Sequence, residues 1–193
     1  MALGYVRPAR ESDIADITRI QLTTWRVAYS SIIPADVLGG MDEDWVARQW
    51  REACTNPPTP AHRVLLAVEQ SESDPKAITP VGFCAIGPDD EEPAETGAGA
   101  VVELLVEPRF GRRGHGSRLL SAAVAHWRAH DITTVHAWVF ARDTASLGFY
   151  KSAGWDSDGT RRTLDMGAQR VPQLRLHCDV SESGDDVSPP DNT

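Results

Sequence analysis

The stretch RFGRRGHGS at 109–117 has the composition of a site: Gly111, Gly114 and Gly116 stand among Arg109, Arg112 and Arg113. Glycine weakens a helix start and clustered arginines repel one another, so the combination needs a compensating use. Upstream, AGAVVELLVEP (98–108) is apolar enough for a central strand and is stopped by Pro108. Downstream, Leu119, Leu120, Ala123, Val124 and Trp127 recur at helical spacing and predict a helix over 115–130. A strand that passes through a glycine turn into a helix presents unpaired backbone N–H groups and the positive end of the helix dipole. The arginines add charge, and the result is a cradle for phosphate. The spacing is neither GxGxxG nor GxxxxGK[ST], which excludes the usual dinucleotide and P-loop signatures. On spacing alone, a plain surface turn is an equal reading.

Other residue pairs are weaker. His126 and His130 lie four apart, but HWRAH lacks the glutamate of HExxH, and a histidine at a helix end is favoured by the dipole. No metal site is expected. Cys54, Cys84 and Cys178 are odd in number and contain no CxxC pair, so neither a disulfide framework nor a zinc knuckle is indicated, and a reducing cytoplasm fits best. Cys84 reads as strand packing. Trp25 and Tyr29, four apart in TTWRVAY, share one helical face.

The elements that must position these residues follow from periodicity and breakers. YVRPA (5–9) reads as a first strand, and ESDIADITRIQLTTWRVAY as a helix with Ser12 at its N-cap. A short turn of helix in IPADVL and an amphipathic helix in DEDWVARQWREAC follow, ended by NPPTP. HRVLLAVEQ (62–70) and VGFCAIG (81–87) read as strands joined by the loop SESDPKAITP, and TTVHAWVFA (133–141) as another strand. DTASLGFYKSAG (143–154) is a helix capped by Asp143 and ended by Gly154, and WDSDGTRRTLDMG and RVPQLRLHCDV give two final strands. This order predicts an α/β sandwich around one mixed sheet.

The 193 residues suit one domain with a real core, and 41% hydrophobic residues suit a soluble globular protein. No apolar stretch approaches a membrane span, and the N-terminus lacks the form of a signal peptide. The net charge of −9 is local: of 28 acids, five lie in DDEEPAE (89–95) and four after Val180, and the other 19 balance the 19 Lys and Arg. An acidic loop and a disordered acidic tail over 181–193 are therefore expected on a formally neutral body, 1–180. Such a balance disfavours nucleic-acid binding.

Four pieces, in order, resemble the GNAT superfamily, the general-control-type N-acetyltransferases. LLVEP looks like that family's fourth strand, and RRGHG like its acetyl-CoA pyrophosphate loop, [Q/R]-x-x-G-x-[G/A]. ARDTASLGFYKSAGW is similar to its N-x-x-A-x-x-F-Y-x-x-x-G-[FW] helix, and YVRPARESDIADI to its first strand and helix. The resemblance spans residues 5–180. Departures are Gly111 for the family's Gln or Arg, Asp143 for Asn, and Ser146 for Ala. The first of these removes one phosphate contact but leaves the backbone amides.

The resemblance implies an α/β fold with a GNAT-type mixed, mostly antiparallel central sheet flanked by helices. It implies an acetyl-CoA-dependent N-acetyltransferase acting by direct transfer in a ternary complex. Backbone groups of Leu104, Leu105 and Val106 would pair with the pantetheine arm, and amides of Arg112, Arg113, Gly114, His115, Gly116 and Ser117 would hold the pyrophosphate. Asp143 matches a position that helps hold the far part of the pantetheine. Tyr150 matches the tyrosine that protonates the departing thiolate, a role that a positioned O–H donor can fill; aromatic core packing is its other reading. Glu103, an acid within an apolar strand, is the candidate base if burial raises its pKa, or else an outward-facing strand residue. Trp25 and Tyr29 would wall the acceptor site or simply pack in the core. The acceptor would be a small-molecule, peptide or protein amine, and the family's habits allow a homodimer. From another class comes a non-catalytic acyl-CoA-binding or regulatory module on the same fold.

Overall fold

The computed structural model describes residues 3–74, 76–89, 97–167 and 169–181. The tail from 182 and most of the acidic loop, 90–96, lie outside the described residues. Seven strands form one sheet in the order β1-β2-β3-β4-β5-β7-β6. In chain order these are β1 (Leu3–Pro8), β2 (Arg63–Gln70), β3 (Ile78–Pro88), β4 (Ala98–Val106), β5 (Thr134–Phe140), β6 (Asp156–Met166) and β7 (Gln169–Asp179). Every pairing is antiparallel except β4 with β5. The sheet is thus mixed and mostly antiparallel, as expected.

Helices α1 (Ile14–Ala28), α2 (Ala35–Gly39), α3 (Glu43–Thr55), α4 (His115–Arg128) and α5 (Thr144–Ser152) complete the fold. The central strands β2 and β3 are buried through Val64–Val68 and Val81–Gly87, which explains their unbroken apolar runs: both faces are covered. On one face, Ile14, Ile17 and Ile20 of α1 and Trp50 of α3 pack against Leu66, Phe83 and Leu105. On the other, Leu119, Ala123 and Trp127 of α4 pack against Val81, Cys84 and Val135. Cys84 is fully buried there, and burial pushes its thiol pKa up.

The start of α1 differs from expectation. Ser12 does not cap it; a single 3-10 turn, Glu11–Asp13, precedes the helix. The carboxylate of Asp13 accepts from both terminal nitrogens of Arg7, at 2.7 and 2.8 Å, and from the Arg10 N–H at 2.7 Å. A bidentate guanidinium offers more than a serine cap, and it ties the turn to β1. Among the described residues, no helix is long and apolar enough to cross a membrane.

Candidate active site

The parallel ladder between β4 and β5 is short. It runs from Ala98↔Thr134 to Val101↔Ala137 and stops, although both strands continue. Beyond it β4 stays paired with β3, through Val106↔Gly82, and β5 with β7, through Phe140↔Gln173. Each strand follows its antiparallel partner, so the two diverge. A cavity of about 510 Å³ opens between them, lined among others by Val102, Glu103, Leu104, Trp138, Phe140 and Tyr150.

A β-bulge marks the divergence. Ile86 opposes Val101 and Ala85 opposes Glu103, so Val102 is the extra residue. In a regular strand Val101 and Glu103 would share a face. Here Val101 joins the core beneath α4, while Glu103 lies opposite Ala85, which belongs to the core beneath α1 and α3. The bulge therefore turns the one acid of the strand toward α1, whose Trp25 and the following Tyr29 line the same cavity.

Glu103 is half-buried at the cavity wall, and burial pushes its carboxyl up to about 8. The Trp25 indole pulls that value partly back down, although its Nε1 has no partner at hydrogen-bonding distance. Tyr29 stacks edge-on against both Trp25 and Phe140, at centroid distances of 5.9 and 5.1 Å. Tyr150 on α5 is 5% exposed and lies 4.9 Å from the Trp155 ring. Burial first, with Cys84 and Glu103 as close titratable neighbours, holds its phenol well above the ordinary tyrosine range. It stays a neutral donor at any physiological pH.

Helix α5 is capped as predicted. The Asp143 carboxylate accepts from the Ser146 amide at 3.0 Å and from the Ser146 hydroxyl at 2.6 Å. Asp143 does not line the cavity; Ser146 does. Leu104 lines it as well, whereas Leu105 is buried beneath α1 and Val106 faces α4.

The glycine turn enters α4 through Gly114, whose φ of +79° is the left-handed conformation that glycine adopts without penalty. Arg112 is also left-handed, at φ 59°. Among the described residues no side chain caps α4, so its first amides meet no side-chain acceptor there. Two carboxylates, Glu107 buried and Glu69 half-buried, clamp the segment. Glu107 is only 5% exposed and pairs with Arg19 of α1 at 2.7 Å and with Arg109. Glu69 of β2 accepts from His115 Nε2 at 2.8 Å and pairs with Arg113 at 3.2 Å. The Arg109 and Arg113 guanidinium groups both lie against the Phe110 ring, at 4.8 and 5.4 Å. Arg112 makes no ion pair among the described residues, and Ser117 is exposed. At Gly116 a β-carbon would meet the Phe149 ring at 3.2 Å, so the start of α4 packs directly on the neighbour of Tyr150.

Four polar side chains of the site were not assigned to it from the sequence. The side chains of His136 and Asp89, 5% and 7% exposed, form a 2.6 Å pair at the cavity. Arg162 of β6 lies over Trp138, and Glu69 closes the clamp on the glycine turn. Inward-facing polar residues within TVHAWVF and RRTLDM were the clue, legible only once register is known. His126 and His130 do not converge on a common point: His126 Nε2 meets Ala61 O at 3.1 Å, and His130 Nδ1 meets His126 O at 2.8 Å.

The family model described as "Acetyltransferase (GNAT) family" matches residues 20–155. The Bacillus subtilis (strain 168) protein YuaI, named an uncharacterized N-acetyltransferase, is 26% identical over 148 residues, 76% of this chain and 77% of its own. An N-acetyltransferase structure from Staphylococcus aureus Mu50 superposes with a TM-score of 0.69 at 15% identity, covering 92% of this chain and 99% of that one. The structure of yncA from Salmonella typhimurium, solved with its cofactor acetyl-CoA, gives 0.66 at 19% identity over 98% and 99% of the two chains. The matched segment contains β4 with its bulge, the glycine turn and α5. The chain belongs to the acetyltransferase (GNAT) family.

Proposed function

We propose that this chain is an acetyl-CoA-dependent N-acetyltransferase that moves an acetyl group to a primary amine by direct attack in a ternary complex. The observation that carries the reading is the divergence of β4 from β5, which puts Glu103 and Tyr150 on one cavity beside an unpaired strand edge. An extended ligand arm adds to such an edge through main-chain hydrogen bonds, here with Leu104, Leu105 and Val106. The uncapped start of α4 and the left-handed turn before it suit a diphosphate, held by the amides of Arg112 through Ser117 with Arg112 as the nearby unpaired cation. His115 would contribute its amide alone, because its ring is turned inward to Glu69. Asp143 would act by holding Ser146 and α5 rather than by direct contact.

Bound there, acetyl-CoA would supply an acyl group already activated as a thioester. Glu103 takes the proton that an alkylammonium acceptor must lose, directly or through water. A carboxylate of pKa about 8 is a far better match to an amine of about 10.4 than an ordinary one. As the new C–N bond forms and the C–S bond breaks, Tyr150 donates its phenolic proton to the departing thiolate and is reprotonated, directly or through water, by the proton that the nitrogen sheds as the amide forms. Trp25 and Tyr29 wall the side from which the amine arrives.

Thiol release from acetyl-CoA over a panel of amines, alongside calorimetric titration with acetyl-CoA, tests the reading. Amine-dependent release supports it. Binding without release for any amine would point instead to an acyl-CoA-binding module, and absence of binding overturns both.

A further inference from the structure

On the acetyl-transfer reading above, we infer that the acceptor carries an anionic group several bonds from its amine, a carboxylate or similar oxyanion, and that Arg162 recognises it.

Strand β6 alternates cleanly near the cavity: Arg162, Leu164 and Met166 line it, while Arg161, Thr163 and Asp165 are exposed. Register fixes the level at which Arg162 stands. It opposes Gln173, and Gln173 opposes Phe140, three residues past the last β4–β5 pair. That is the level of the divergence, where Glu103 lies. The Arg162 side chain then reaches back across β7, and its guanidinium carbon sits 4.3 Å from the centre of the Trp138 ring on β5. Its Nε donates to Oε1 of Gln173 at 2.7 Å, and Gln173 is itself 7% exposed. A long, flexible side chain is thus fixed in place by stacking on one face and a hydrogen bond at Nε.

Arg162 is the only Lys or Arg among the described residues that line the cavity, where the carboxylates are Glu103 and Asp89, the latter paired with His136. A permanent cation is a cost to a site that must admit an ammonium ion. An acceptor that brings its own anion turns the cost into attraction. The planar fork matches an oxyanion in a way that no lysine would. Recognition does not require the fork to be idle in the resting protein, because a guanidinium has five donors and an incoming carboxylate can share them. The guanidinium lies over β5 and Glu103 projects from β4. Because the two strands have parted here, the two sites are more than one strand spacing, about 5 Å, apart. That span suits an amine and an anion separated by a short chain.

The test uses ω-amino carboxylates with one to five methylenes, each against its own amide, and a short C-terminally amidated peptide with a free N-terminus and no acidic side chain. With the wild-type protein the carboxylates of matching length should exceed their amides about ten- to a hundredfold in kcat/KM. Arg162→Gln should bring that ratio near one, and Arg162→Lys should fall between. Unchanged acetyl-CoA binding by calorimetry would show both variants to be folded. A wild-type ratio near one, a ratio untouched by Arg162→Gln, or a peptide that outperforms every carboxylate would overturn the inference. The same carboxylate and amide pairs titrated into the CoA-loaded protein decide anion recognition without turnover. If no amine releases thiol, acetyl transfer fails by itself while this comparison still gives its answer.

Discussion

Burial moves Glu103 and Tyr150 in the direction that each proposed role requires. With its carboxyl raised to about 8, Glu103 gains its base form only as pH rises through that value, so kcat/KM should climb on that limb. Glu103→Gln should remove the limb and lower kcat/KM about a hundredfold or more, read from pH–rate profiles. The same raised value means that the native state holds a proton the unfolded chain has already lost. Its contribution to stability is full below the unfolded value near 4.3 and falls away as pH rises toward 8. Tyr150→Phe should reduce kcat about a hundredfold and leave the acetyl-CoA Kd within about twofold; an equal loss of both would assign the side chain to packing. In the sequence Glu103 stood out as an acid in an apolar strand, whereas Tyr150 was singled out through the resemblance of its helix. The burial of Glu107 was not legible there, because its partner Arg19 lies 88 residues away.

At the scale of elements, the glycine turn is held from beneath by Glu69. Glu69→Gln keeps the size and one acceptor oxygen but loses the charge that holds Arg113 and His115. It should raise the acetyl-CoA KM about tenfold with kcat little changed, and Glu69→Asp should recover part of the loss. Despite the cost of its burial, the hydrogen bonds from His115 and Arg113 hold the Glu69 carboxyl below its usual range. The clamp is accordingly complete above ordinary carboxylate pKa values and is lost as pH falls through the depressed one. KM should rise at acid pH in the wild type and not in Glu69→Gln. Element identities were readable from hydrophobic period and from Pro and Gly punctuation. The bulge at Val102 was not, because AVVELLV is uniformly apolar around one acid and carries no trace of which residue is unpaired. Nor was Asp13 as an arginine ligand, since a capping pattern and a bidentate ion pair draw on the same residue types.

For the molecule as a whole, the cavity draws residues from Trp25 to Gln173, nearly the length of the fold, so a ligand that fills it should stabilise everything at once. Acetyl-CoA at a hundred times its Kd adds about 2.7 kcal/mol. For a chain of this size that raises Tm by roughly 5–10 °C, measurable by calorimetry. The overall architecture followed from element order and resemblance, whereas the acceptor end of the cavity depended on pairing between segments far apart in the chain. WDSDGTRRTLDMG looks polar throughout, and only its place beside β7 shows which arginine faces inward.

The divergence of β4 from β5 also leaves main-chain donors and acceptors without a ladder in the middle of a sheet. Such a border is a template for any extended chain, a substrate-like arm or a neighbouring molecule alike. Protein kept without its donor should therefore exchange amide hydrogens fastest among the sheet strands at 102–106 and 138–140, and should be more prone to strand-mediated self-association in storage. Adding CoA should slow both, and exchange mass spectrometry with light scattering would register the two together.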